Sequence, residues 1–157
     1  MKKFPQFIPY FTDVLIKKSK ELDEECIQII KSSLMEWFND GTPEYIKVYI
    51  VHLLGSEPFA DKNELLRLFK ELKRNSGDYI GRALLEALDG KISREEALEI
   101  RDYFFRADNW ERRQILKLVH DNIPNTEFRP FAKDIDVYTD DVLLSRIKQV
   151  YNKKNDG

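Results

Sequence analysis

The chain has 157 residues, enough for one domain with a real hydrophobic core. It is 42% hydrophobic and 34% charged, with six Gly and six Pro, a balance that suits a helix-rich globular protein and argues against a turn-rich sandwich or barrel. The net charge of −2 gives no general attraction to phosphate backbones or anionic lipid, and a single cysteine excludes both an intramolecular disulfide and a cysteine-based metal cluster.

The N-terminal MKKFPQFIPYF has two lysines but no apolar run, and Pro5 and Pro9 interrupt it. Neither a signal peptide nor a membrane span is predicted, so a cytoplasmic protein is expected. A leading helix near 10–20 would cap the helices C-terminal to it. Asp23–Phe38 carries Ile27, Ile30, Leu34 and Phe38 at helical spacing. Cys26 sits beside Ile27, Ile29 and Ile30, where a buried, inert thiol is expected. Asn39-Asp40-Gly41-Thr42 reads as a turn, and Pro43 as a favoured first helical residue. The helix 43–54 is apolar nearly all round and should be sandwiched between neighbours.

Lys62–Arg74 carries Leu65, Leu66, Leu68, Phe69 and Leu72. After the turn at Asn75-Ser76-Gly77, Ser76 or Asp78 can cap a helix with Ile80, Ala83, Leu84, Ala87 and Leu88 on one face. Gly90 supplies the left-handed residue that ends it. Ser93–Phe105 opens with a capping box, Ser93 with Glu96. A short link at Ala107-Asp108 leads to a helix over 109–121, then one over Glu127–Ile135, and a weaker helical pattern runs from Tyr138. Residues Asn152 to Gly157 should fray.

An aromatic residue leads an apolar helical run at Tyr10, Tyr45, Tyr79, Trp110 and, more weakly, Tyr138, roughly 28–35 residues apart. A second helix precedes each of the last four, and the links within pairs are short, which forces antiparallel neighbours. The reading is an all-α α-solenoid of about four helix pairs, 23–54, 61–89, 93–121 and 126–151, with an N-terminal capping helix, in one domain over residues 1–151. No pair can bury its apolar face alone, so stacking supplies the core.

Asp78-Tyr79-Ile80-Gly81-Arg82-Ala83-Leu84-Leu85-Glu86-Ala87-Leu88 resembles the second helix of a HEAT repeat, where an Asp and an aromatic precede an Arg and a small or apolar run. Asn109-Trp110-Glu111-Arg112-Arg113 repeats it, with Arg113 in the place of Arg82, whereas the unit at Tyr45 has Val48 there. The resemblance implies a right-handed superhelix with the aromatic-led helices on the concave face. A narrower stretch, Phe105 to Ile115 with Ile123-Pro124 and Arg129-Pro130-Phe131, is similar to the helical tail of some phage-defence reverse transcriptases. Tyr138-Thr139-Asp140-Asp141 has the letters of a polymerase site, but no flanking β-hairpin, and Asp140 and Asp141 read as helix N-terminal charges. That likeness implies at most a nucleic-acid-associated accessory module of such a system.

No catalytic constellation interrupts the repeat, and no cofactor or metal is implied. His52 and His120 stand alone, without HExxH spacing. Asp134-x-Asp136 lacks the glycine and closing glutamate of a calcium loop. Arg82 and Arg113 either bind a carboxylate or phosphate from the concave face or act as rungs pairing with Asp78 and Asp108. Tyr45, Tyr79 and Trp110 could stack on bases but are expected to wedge between helices. The favoured function is a binding scaffold whose concave face recognises a protein partner through Lys47, His52, Arg82, Glu86, Arg112, Arg113, Lys117, Arg146 and Gln149. An alternative comes from HEAT-like DNA glycosylases for alkylated bases, with Trp110 and Asp108 as the candidates here. The near-neutral charge argues against a nucleic-acid partner, and no membrane partner is expected.

Overall fold

A computed structural model describes residues 8–72 and 79–136 together with Val142, Ser145, Arg146 and Gln149. The expected caps at Ser76 and Asp78, the link 75–77 and most of the last helix lie outside the described residues. All regular structure among those described is helical. None of these helices is long and apolar enough to cross a membrane. The chain divides into two compact units, Met1–Leu88 and Asp89–Gly157.

The first unit contains α1 (Ile8–Lys17), a 3-10 turn at Ser19–Glu21, α2 (Glu24–Trp37), α3 (Glu44–Leu54), α4 (Lys62–Glu71) and α5 (Ile80–Leu88). The boundaries follow from local chemistry. Asp23 caps α2, its carboxylate accepting from the Cys26 N–H, and Asp61 caps α4 by accepting from the Glu64 N–H. Pro43 sits at the N-cap of α3, one residue earlier than its expected first helical position. The turn between α2 and α3 is held by Asn39, whose side-chain oxygen accepts from the Gly41 N–H at 2.9 Å.

Two contacts fix how α3 and α5 lie. At their N-terminal ends the Tyr79 N–H donates to Glu44 Oε1 at 2.6 Å. At their C-terminal ends a Cβ on Gly55 would lie 2.8 Å from the Ala87 Cβ. The two helices therefore run side by side in the same direction, and the missing side chain at Gly55 lets them close. Ile46, Ile50, Leu53 and Leu54 of α3 are buried with Leu65 and Phe69 of α4 and Leu84, Leu85 and Leu88 of α5.

The second unit contains α6 (Arg94–Arg101), a 3-10 turn at Phe104–Arg106, α7 (Asn109–Asn122) and α8 (Asn125–Asp136). Gly90, ahead of α6, has φ of +77°, the left-handed conformation expected there. Ser93 and Glu96 form the expected capping box at the start of α6. The helix expected over Ser93–Phe105 instead stops at Arg101. Tyr103 N–H donates to the Ile100 carbonyl and Arg106 N–H to that of Tyr103, so the chain tightens into 3-10 geometry and turns Phe104 inward. Phe104 then packs edge-on against Phe131, with ring centroids 5.5 Å apart and planes at 89°. Arg94 of α6 is bonded through its guanidinium to the Glu127 carboxylate of α8.

Cys26 is exposed, not buried as its apolar neighbours suggest, because Ile27 takes the inward position on α2. Hydrogen bonding to the Asp23 carboxylate, and the charge of that group, push the Cys26 thiol above its ordinary range. Alkylation near pH 8 is accordingly expected to run slower than at a cysteine in an unstructured peptide, since only the thiolate reacts. Asp23→Asn, which keeps a good N-cap, should speed it, with the difference vanishing at pH values high enough to ionise both thiols. Equal rates for the two proteins at pH 8 would contradict the assignment.

A candidate binding surface on the aromatic-led helices

Helices α3, α5 and α7 share one register. Each carries an aromatic residue at or beside its start: Tyr45, Tyr79 and Trp110. At about 100° per residue, the positions three and seven further on share its face. They are Val48 and His52 on α3, Arg82 and Glu86 on α5, and Arg113 and Lys117 on α7. The opposite arc of each helix holds the core residues, such as Ile46 and Ile50, Ile80 and Leu84, and Ile115 and Val119.

The leading aromatics therefore face outward. Tyr45 is 60% exposed, Tyr79 57% and Trp110 49%, and Tyr49, one turn after Tyr45, is 39% exposed. This corrects the expectation that they wedge between helices. It also corrects the expectation that α3 is covered all round, since Tyr45, Tyr49 and His52 form one exposed stripe. Because α3 and α5 lie side by side in the same direction, their stripes form one surface on the first unit. Tyr45, Tyr49 and His52 stand next to Tyr79, Arg82 and Glu86. Arg82 Nε donates to Glu86 Oε1 at 2.9 Å, so the surface carries a balanced ion pair beside its aromatic rings.

On the second unit the α7 stripe holds Trp110, Arg113 and Lys117. The Arg113 guanidinium lies 5.1 Å from the Trp110 ring centroid and is not seated on Asp108. The Asp108 carboxylate instead caps α7, accepting from the Glu111 N–H at 2.9 Å. Lys117 is bonded to Asp89 and stands 3.6 Å from Asp121. The hydrogen bond to Asp89, together with the charges of both carboxylates, raises its pKa above the ordinary lysine value.

The position two residues after the aromatic behaves differently. Lys47 and Arg112 occupy it on α3 and α7, within the core-facing arc. The Lys47 ammonium lies 5.3 Å from the Phe38 ring centroid, and the Arg112 guanidinium is equally far from that of Phe104. Arg112 also donates to the backbone carbonyls of Phe104 at 2.9 Å and Phe105 at 3.3 Å, fastening the 3-10 turn to α7. On α3 and α7 the cation that ties the helix to a phenylalanine before it thus stands at this position, whereas on α5 the same position is Gly81. Sequence reasoning missed it, although the shared spacing of Lys47 from Tyr45 and of Arg112 from Trp110 was available as a signal.

Lys47 is thereby separated from His52. It lines a cleft of about 560 Å³ in the first unit with Phe38, Asn39, Asp40, Arg67 and Glu71. Arg67 in that cleft is held by Glu64 at 2.7 Å and Glu71 at 2.8 Å. Arg146 and Gln149 are exposed in helical backbone. His120 Nδ1 lies 2.7 Å from Asp121 Oδ1, and its ring stands edge-on to Phe128. Among the described residues no three His, Cys, Asp or Glu side chains gather as a metal site. The chain matches no known protein-family model, no curated protein and no solved structure.

Proposed function

We propose that the chain is a binding scaffold, a HEAT-like α-solenoid module that recognises a protein partner through its aromatic-led helices. The observation that carries this reading is the outward-facing stripe repeated on α3, α5 and α7, in which an exposed Tyr or Trp is followed by two charged side chains on α5 and α7 and by Val48 and His52 on α3. Tyr, Trp and Arg are the residues that dominate binding energy at protein interfaces, because they bury large area at small entropic cost. The repeat of one register in three helices supports the stacked-pair architecture. His52, Arg82, Glu86, Arg113 and Lys117 are its polar contacts on this reading, while Lys47 and Arg112 hold helices together.

The ion pairing argues against the nucleic-acid alternatives. Arg67, Arg82, Arg94 and Lys117 all engage carboxylates, which offsets the positive charge a phosphate backbone would need. Trp110 and Asp108, the glycosylase candidates, are engaged with Arg113 and the α7 N-terminus.

The test is affinity capture of the tagged full chain from its native host, with protein and nucleic acid in the eluate both identified. A stoichiometric protein partner is expected. It should be lost in a Tyr45→Ala, Tyr49→Ala, Tyr79→Ala triple variant whose helical circular dichroism is unchanged, since exposed anchors of this type each contribute about 2 kcal/mol or more to binding. Enriched nucleic acid with no protein partner would overturn the reading in favour of the defence-system or glycosylase alternatives.

A further inference from the structure

A second surface lies away from that stripe. Helices α1 and α2 flank an apolar groove of about 290 Å³ lined by Phe11, Val14, Leu15, Ile29, Ile30 and Trp37. Its walls are open to solvent. Phe11 and Val14 are each 53% exposed, Ile29 59%, and the adjoining Tyr10 77%. Taking aromatic side chains at about 200 Å² and aliphatic ones somewhat less, these four residues leave on the order of 450 Å² of largely apolar surface in one place. That matches the largest patches monomers carry, which are often functional.

The edges of the groove have opposite charge. By helical spacing Lys17 lies on the outer edge of α1, and Glu25 and Glu36 lie on the outer edge of α2, all exposed. Lys17 ends α1 and Glu25 lies in the first turn of α2, so the two stand at the same end of the hairpin. A twofold axis running along the groove would set α1 of one copy over α2 of the other. It would bring Lys17 of each copy to Glu25 of its mate, twice per dimer. The patch doubled, with its polar rim, reaches roughly 1,200 Å², the lower end of specific interfaces.

We infer that the chain self-associates as a twofold dimer through this α1–α2 face, the exposed ridge of Tyr10, Phe11 and Val14 on α1 lying against the Ile29 wall of α2 in the second copy. Isologous closure covers the face on both copies at once and leaves no free patch to propagate assembly. The inference does not depend on the partner surface proposed above.

The test is the mass of the full chain by sedimentation equilibrium from about 1 to 100 µM, the range suited to an interface of this size. A monomer–dimer equilibrium is expected. Val14→Glu, at an exposed position that does not threaten folding, should raise the dissociation constant by about 30-fold or more. Lys17→Glu and Glu25→Lys should each weaken the dimer, and the double exchange should restore it. A monomer at every concentration would overturn the inference. So would association that Val14→Glu leaves unchanged, or single charge variants that the double exchange fails to rescue. A chain that dimerises only after residues 2–6 are deleted would also overturn it, since its own N-terminal segment would then be the occupant of the groove.

Discussion

Phe104→Ala is expected to destabilise the second unit by about 4 kcal/mol. The ring is fully buried and meets Phe105 and Phe131 edge-on, each at 5.5 Å between centroids. The Arg112 guanidinium lies over it and bonds the Phe104 carbonyl. Truncation removes the transfer free energy of the ring and leaves a cavity among side chains of the 3-10 turn, α7 and α8. No single helix can shift to fill that space without breaking its own contacts. The loss should be read by chemical unfolding followed through Trp110 in a Trp37→Phe background, so that fluorescence reports on the second unit. A loss below about 1 kcal/mol would mean the ring is not packed as described.

Gly55→Ala is expected to destabilise the first unit by about 2 kcal/mol, although alanine has the higher intrinsic helix propensity. The glycine has ordinary helical φ, so backbone strain is not the reason it stands there. The reason is space. A Cβ would lie 2.8 Å from the Ala87 Cβ and 3.3 Å from its Cα, and the second of these is backbone that cannot rotate away. The clash pries apart α3 and α5 at their C-terminal ends and disturbs Leu54 and Leu88 beside it. Because the conflict is between two methyl groups, Gly55→Ala with Ala87→Gly should lose less than the sum of the two single variants. The double-mutant cycle should show coupling of about 1 kcal/mol or more. Strict additivity would show that the helices do not meet at this point.

Of the caps, the Ser93 box is read from sequence, whereas Asp108, offered there as a rung for Arg113, is a cap in the structure. Asp23, Asp61, Ser93 and Asp108 each accept from a backbone N–H at a helix start. Asp23 and Ser93 begin segments that the hydrophobic spacing marks as helical, and the Ser93–Glu96 box can be named from two residues. Where the expectation fails, a distant contact decides. The 3-10 turn at Phe104–Arg106 interrupts a segment of good helical spacing because Phe104 is drawn into a cluster with Phe131 and fastened by Arg112, residues that lie 27 and 8 positions further on.

The candidate surface is half legible. His52, Arg82, Glu86, Arg113 and Lys117 can be grouped from spacing alone, and each lies on the same face of its own helix as the leading aromatic. Lys47 and Arg112 group with them in sequence and belong elsewhere, and Tyr45, Tyr79 and Trp110, expected inward, point outward. Amino-acid order fixes the angles between residues around one helix, and so it determined which helices form, where they start and which side chains share a face. It does not fix how each helix is rotated about its own axis. Several apolar arcs compete on a helix such as α3, and the winner is the one that buries Ile46, Ile50, Leu53 and Leu54. Only the tertiary packing made that choice, and with it which side chains were left to face a partner.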